Sequence, residues 1–355
     1  MITIVLTYRN RALQSLENCL DSLTRQTSKE FKVVLVDYGS ILEYEKKLRE
    51  LAAKYDFVTL IRCKTTHQLW CKSRAINIAL KQCDTPCFFV GDIDMLYHPA
   101  FVEALKELED EKRVTYLQVG FLSESESKEK KNFVDYEINF KSNSEATGMT
   151  LYPTALLKAI NGYDEYYNGW GSEDTDVHVR LRNGGHDVKF YSDSILMLHQ
   201  WHSKHYRKTN DLTPFHTELE QINASYLTFV EQVGRVKANV DFEWGAYNEK
   251  DYEALTTIDQ AYSISNRAAE VFAFVNAILL VEKKVVIKLD VKKHKDYRSQ
   301  KQKVKSVLGK KTMAFLDFED VNNRILDCMI NQLRGKAYKY QYDVKKQTIS
   351  LIVKL

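Results

Sequence analysis

The stretch that most constrains this chain is Cys87-Phe88-Phe89-Val90-Gly91-Asp92-Ile93-Asp94-Met95, where a short apolar run passes straight into two carboxylates one residue apart. An apolar run this short, bounded by polar residues, reads as a strand buried on both faces of a parallel sheet. In extended backbone residues i and i+2 project to one side, so Asp92 and Asp94 can face a single ligand. They stand where the strand ends, and open α/β sheets bind ligands outside the carboxyl ends of their strands. Neighbouring carboxylates repel unless a cation or a hydrogen-bond donor lies between them. Oxygen ligands of this kind suit Mg²⁺ or Mn²⁺, shared with a substrate's phosphates. A loop aspartate followed by a cap for a helix near Pro99 is the plainer account, so the rest of the chain has to decide.

Ile2–Thr7, Phe31–Val36 and Phe57–Ile61 read as further buried strands. Leu13, Leu16, Leu20 and Leu23 recur at helical spacing, as do Leu42, Leu48 and Leu51, and helices are expected at about Lys72–Lys81 and Pro99–Leu108. This alternation predicts parallel β-α-β units and a doubly wound sheet. The polar strand tips carry the chemistry. Asp37 is placed to accept hydrogen bonds from a ribose or base. Arg9 and Arg11 flank the end of the first strand, and Arg74 could reach a diphosphate. Taken singly, each is also what a solvated arginine or a turn aspartate looks like. No glycine precedes Gly39, which excludes a glycine-rich dinucleotide loop or a P-loop after the first strand. Phosphate would be held by side chains and metal. Between Ser123 and Asn132 the chain is nearly all Ser, Glu and Lys, a solvated loop that would suit a mobile flap or an inert insertion.

The next informative block is Gly162-Tyr163-Asp164-Glu165 followed by Asn168-Gly169-Trp170-Gly171-Ser172-Glu173-Asp174-Thr175-Asp176. The glycines let the backbone fold tightly about Trp170, and a helix is expected to start at Ser172–Asp174 and close at Gly184-Gly185. Glu173, Asp174 and Asp176 could serve only as helix-terminal charges. A tryptophan between glycines directly before three acids asks for more. An aromatic face beside a carboxylate suits a sugar, and Asp174 is the candidate general base. After a strand at Ile195–Leu198 come His199 and His202, then His205; histidines three apart can share a metal where the backbone turns.

Composition sets the bounds. The 355 residues suit one large domain with a smaller one, and 44% hydrophobic with 28% charged residues is ordinary for a soluble globular protein. A net charge of +3 is too small to make nucleic acid the general partner. Six cysteines without a C-x-x-C pair, mostly among apolar neighbours, read as free thiols in a reducing compartment. The first strand begins at Ile2, leaving no room ahead of it for a signal peptide, and Val271–Val281 is too short to span a bilayer. A cytoplasmic protein is expected. Lysines crowd between Lys283 and Lys311, either as a solvated face or as a surface for an anionic membrane or an acidic glycan.

In order along the chain, Arg9-Asn10-Arg11, Ser73-Arg74-Ala75, Asp92-Ile93-Asp94, Ile160-Asn161-Gly162-Tyr163, Gly169-Trp170-Gly171-Ser172-Glu173-Asp174 and His199-x-x-His202 resemble glycosyltransferase family 2. The second half is similar to the β-1,4-galactosyltransferase branch with its bacterial chondroitin-type polymerases. The resemblance covers about the first 205 residues. It implies a GT-A fold, a Rossmann-like and mostly parallel sheet flanked by helices, over 1–235, with a nucleotide-binding half at about 1–120 and an acceptor and metal half at about 135–210. Residues 236–355 would form a smaller α+β or mainly helical accessory domain.

The resemblance further implies a UDP-sugar donor, Mn²⁺ (or Mg²⁺) and a saccharide or lipid-linked saccharide acceptor. Arg9, Arg11 and Asp37 would contact the uridine part, and Arg74 the nucleotide or donor sugar. Asp94 would ligate the metal, with Asp92 near the ribose or metal shell. His202 matches a metal-binding His, and His199 a ligand position often held by Met. Trp170 would line the sugar site, Glu173 bind acceptor and Asp174 act as base. Tyr38 stands where many members have a second Asp. Asp174, where retaining polypeptide transferases carry Asn, favours inversion. Transfer of a hexose or N-acetylhexosamine, galactose or N-acetylgalactosamine by preference, in bacterial surface glycan synthesis is the expectation. A sugar-nucleotide pyrophosphorylase would need an N-terminal glycine-rich loop; a non-catalytic nucleotide-sugar or glycan-binding module would have no need of Asp92, Asp94 and Asp174.

Overall fold

The computed structural model describes residues 1–203, 214–281 and 283–355, so His205 lies outside the described residues. Those described fall into two compact units, one formed by 1–63, 70–203 and 220–247, the other by 64–69, 214–219 and 248–355.

In the first unit the alternation predicted from sequence is present: β1 (Ile2–Tyr8), α1 (Leu13–Thr24), β2 (Phe31–Tyr38), α2 (Leu42–Ala52), β3 (Val58–Cys63), α3 (Lys72–Gln82), β4 (Cys87–Gly91), β5 (Met95–Tyr97) and α4 (Phe101–Glu107). There follow β6 (Arg113–Leu117), β7 (Gly120–Leu122), β8 (Ile138–Lys141), β9 (Thr150–Pro153), α5 (Thr154–Ala159), α6 (Glu173–Asn183), β10 (Asp187–Tyr191) and β11 (Met197–His199). A seven-stranded sheet has the order β10-β6-β9-β4-β1-β2-β3, and only β9 runs antiparallel to its neighbours. The mixed α/β class, with a mostly parallel sheet flanked by helices, is the expected one.

Alternation along β1 explains the two helical layers. Ile2, Ile4 and Leu6 pack with Leu16, Leu20 and Leu23 of α1, while Val5 faces Ala75, Ile76 and Leu80 of α3 and Val177 of α6. Each helix thus buries one apolar stripe, and the central strands are buried on both faces, as their continuous apolar sequences require. A smaller sheet, β5-β11-β7-β8, stands beyond the end of β4. α7 (Leu219–Gln232) follows.

The second unit holds a four-stranded sheet of order β12-β13-β15-β14, made of β12 (Gln260–Ser265), β13 (Val286–Lys292), β14 (Tyr338–Asp343) and β15 (Thr348–Lys354). Its helices are α8 (Glu249–Ala254), α9 (Ala268–Ala273), α10 (Gln300–Val307) and α11 (Phe318–Gln332). The segment 64–69 is sewn into this unit: Tyr338 Oη accepts from Leu69 N at 3.0 Å, Gln68 donates to Tyr338 O at 3.0 Å, and Tyr340 N donates to His67 O at 3.0 Å. All six cysteines are free and buried. No described helix is long and apolar enough to cross a membrane.

Candidate active site

Two clusters of side chains meet at the carboxyl end of β4. Gly91 closes the strand because Tyr97 leaves no room for a side chain: a Cβ there would lie 2.5 Å from the tyrosine oxygen. The chain then passes through Asp92, Ile93 and Asp94 into β5, which pairs antiparallel with β11 so that Met95 lies opposite His199. Gln200 N continues the pairing by donating to Asp94 O at 2.9 Å. Strand pairing, rather than the local turn expected from the spacing, therefore carries the histidines to the acid.

The result is a compact ligand set. His199 Nε2 lies 3.7 Å from Asp94 Oδ1 and His202 Nε2 3.2 Å from Asp94 Oδ2. The candidate ligand atoms of Asp94, His199 and His202 all lie within 4.8 Å of one another. Burial works against the charge on Asp94, yet the hydrogen bond from His202 and the fields of both histidines and Arg11 hold its carboxyl below the usual range. Burial lowers His199, favouring the neutral imidazole that binds metals, while the bond to Asp94 raises His202. Among the described residues Asp94 Oδ1 is buried without a hydrogen-bond partner. A carboxylate oxygen left bare beside two imidazoles suits a divalent cation.

The second cluster stands at the start of α6. Gly169 (φ 76°), Gly171 (φ 98°) and Ser172 (φ 74°) are all left-handed, which turns the chain about Trp170 and leaves the indole 47% exposed. Asn223 Nδ2 pins this loop by donating to Asn168 O at 2.9 Å and Trp170 O at 3.2 Å. A serine in that region is strained, which marks the loop as held in place by its surroundings. Glu173 and Asp174 follow in the first turn. Among the described residues Asp174 Oδ1 is buried without a hydrogen-bond partner, and a Cβ on Gly148 would lie 3.3 Å from Asp174 Oδ2.

Lys72 joins the two clusters. Its Nζ lies 3.2 Å from Asp174 Oδ2, 3.3 Å from Asp92 Oδ1 and 3.6 Å from Glu173 Oε1. Burial pushes the Asp174 carboxyl up to about 7; the Lys72 charge opposes this, and Glu173 and Asp92 add to it. For Lys72 itself burial opposes the charge, but the three acids outweigh it and its pKa rises. Sequence reasoning missed this residue. The signal was positional: in a right-handed β-α-β unit the first residue of the helix lies at the carboxyl edge of the sheet, and Lys72 opens α3.

The other candidates are distributed as follows. Asp37, opposite Tyr8 in the register, is buried and accepts from Ser40 N at 3.0 Å; burial raises its pKa against the Ser40 hydrogen bonds. Asn10, left-handed at φ 49°, stitches the two strand ends together by accepting from Ile41 N at 2.8 Å. Arg9 acts electrostatically on Asp37, and Arg11 on Asp94 and His202. Arg74 is not brought to the acids. It is buried in the body of the unit, donating to Ala246 O at 2.8 Å and lying 3.9 Å from Glu165. Asp176 also turns inward, 2.6 Å from Arg180, whose guanidinium donates to Ile160 O and Gly162 O; it is a structural acid. The Ser123–Asn132 stretch is more ordered than its composition suggests: it makes a short turn at Glu126–Lys128, and Ser127 Oγ accepts from Trp201 N at 2.7 Å, between the two histidines.

Paired carboxylates and an acid–histidine corner thus stand together at the carboxyl end of a mostly parallel sheet. Residues 3–155 match glycosyl transferase family 2, and residues 129–205 match the N-terminal domain of galactosyltransferase. Residues 3–155 are thus similar to a family 2 glycosyltransferase domain, and the class this similarity points to is a transferase. Over 93 residues, 26% of this chain, it is 34% identical to the teichoic acid poly(glycerol phosphate) polymerase of Staphylococcus epidermidis, and that stretch spans 12% of the polymerase. Among solved structures it is similar to S. aureus TarS 1–349 in complex with UDP, at 14% identity and TM-score 0.46 over 97% of this chain and 94% of that one. GalNAc-T7 with UDP, GalNAc and Mn²⁺ matches at 14% identity and TM-score 0.49, covering 65% of this chain and 48% of that one.

Proposed function

We propose that this chain is an inverting, metal-dependent glycosyltransferase that moves a hexose or N-acetylhexosamine from a UDP-sugar to a hydroxyl of a saccharide acceptor. The observation that carries the reading is Asp174, a buried carboxyl pushed up to about 7 beside an exposed tryptophan and joined through Lys72 to the D-x-D pair. A base poised near the working pH is what abstraction of an acceptor proton needs. In the reaction the acceptor oxygen gives its proton to Asp174 and forms a bond to the anomeric carbon. The bond from that carbon to the phosphate oxygen breaks on the opposite face, and UDP leaves with the electron pair.

Mn²⁺ or Mg²⁺ held by Asp94, His199 and His202 would offset the charge building on the departing diphosphate. Arg9, Arg11 and Asp37 are assigned to the nucleotide, Asp92 to the ribose side of the metal corner, Trp170 to the sugar wall and Glu173 to the acceptor. Arg74, which donates to Ala246 O, is assigned to the nucleotide or donor sugar, and Lys72 is added as a second donor-side cation. The match of 129–205 to the galactosyltransferase domain supports galactose or N-acetylgalactosamine as the donor sugar. The polymerase relative supports an acceptor, free or lipid-linked, in a bacterial surface polymer.

The test is UDP release from a panel of UDP-sugars with Mn²⁺, with EDTA and with Asp174→Asn. Turnover that needs metal, selects one sugar and collapses in the variant supports the reading. Donor binding with no turnover on any acceptor would make the site a binding module instead.

A further inference from the structure

Residues 292–311 carry eight lysines and one arginine against one aspartate, in a chain whose 51 basic and 48 acidic residues otherwise nearly balance. The structure adds what composition could not show, the direction in which α10 faces. Gln302 is turned inward, 9% exposed, and its Oε1 accepts from Met313 N at 3.1 Å. At 100° per residue, Val304 and Val307 then stand on the opposite side of the helix. They are 56% and 87% exposed, and Leu308, which caps the helix, is 61% exposed. Lys301 and Lys303 flank this crest, and Lys310 and Lys311 follow it, all exposed.

We propose that α10 and the turn after it form a docking surface for an anionic lipid bilayer, with Val304, Val307 and Leu308 entering the headgroup boundary and the lysines lying over lipid phosphates. An apolar crest between lysines is the pattern of a helix that lies in the interface plane. Near an anionic surface each such lysine strengthens binding by about fivefold, an effect screened beyond a Debye length. The crest separates this reading from an acidic polymer. A polyanion would pair with the lysines but leave three exposed aliphatic side chains in water, whereas the headgroup boundary takes up both. This docking surface stands independently of the transfer chemistry.

Co-flotation of the full chain with vesicles of phosphatidylcholine alone, and of phosphatidylcholine with phosphatidylglycerol, tests it. Binding is expected to the anionic vesicles only and to weaken as salt is added. Lys301→Glu with Lys303→Glu should weaken it at least tenfold, and Val304→Ser with Val307→Ser severalfold, while melting temperature and UDP-sugar turnover in solution stay as in the parent. Absence of binding to anionic vesicles would overturn the proposal. So would equal binding to neutral ones, or indifference to the valine pair. Binding to a soluble polyanionic glycan but not to vesicles would assign the lysines to a carbohydrate, and self-association abolished by the same substitutions would assign them to a second copy of the chain.

Discussion

At the scale of single residues the site turns on how Asp174 is kept between its two protonation states. Burial raises it to about 7 while Lys72 opposes the rise, so under the proposed mechanism its carboxylate form would serve as the base. Asp174→Asn should leave UDP affinity within a few-fold of the parent, measured calorimetrically, and lower turnover by about 10²–10⁴-fold, the usual contribution of a positioned base. Turnover in the parent should rise as pH passes through about 7, because the base works only when deprotonated. Lys72→Met removes the charge that lowers Asp174, so the rising limb should move to higher pH; Lys72→Arg should keep it near its original place. A variant that lost donor affinity with no movement of the limb would show that Lys72 acts on the donor alone. The acids and histidines were legible in the sequence because their spacing is short and their chemistry distinctive. Lys72 was not, since nothing local separates it from the many surface lysines, and only the packing of α3 against the strand ends gives it three acidic neighbours.

At the scale of elements, strands with continuous apolar runs and helices with clear periodicity were readable: β1, β2, β4, α1 and α3 lie within a residue or two of their sequence-predicted bounds. β5, β7 and β8 were not, being three or four residues long and stabilised by partners distant in sequence. One of them, β5, pairs with β11 and so sets His199 beside Asp94. Mn²⁺ should therefore raise the melting temperature of the parent in a concentration-dependent way, as a ligand binding only the folded state must. Asp94→Asn and His202→Ala should abolish that increment while folding normally in EDTA; an unchanged increment would place the metal elsewhere.

A second element-level device is the turn at Gly162, which Asn77 clasps by accepting from Tyr163 N at 2.9 Å and donating to Tyr163 O at 2.8 Å. Gly162 is left-handed at φ 65°, and a Cβ there would collide with Asn77 Oδ1. Gly162→Ala should accordingly destabilise the chain by about 2 kcal/mol or more, read from urea unfolding.

At the scale of the whole chain, the division into units does not follow the sequence from end to end. Residues 64–69 lie between β3 and α3, yet they fold with 248–355. No compositional break marks this segment: it is six residues long, without a proline or glycine, and its partners are some 270 residues away. The segment leads directly into Trp70, Cys71 and Lys72, so its anchoring bears on where α3 begins and on the lysine that opens it. A fragment ending at residue 247 would lose the Tyr338 and Tyr340 partners of His67, Gln68 and Leu69. Three hydrogen bonds at about 1 kcal/mol each put the loss near 3 kcal/mol. For a domain of this size that corresponds to a melting temperature lower by about 6–12 °C. Thermal unfolding of the fragment beside the full chain measures it, with UDP-sugar turnover as the second readout. A fragment that melted with the parent and turned over donor at the parental rate would show that residues 64–69 need no partner, and that the first unit sets the start of α3 on its own.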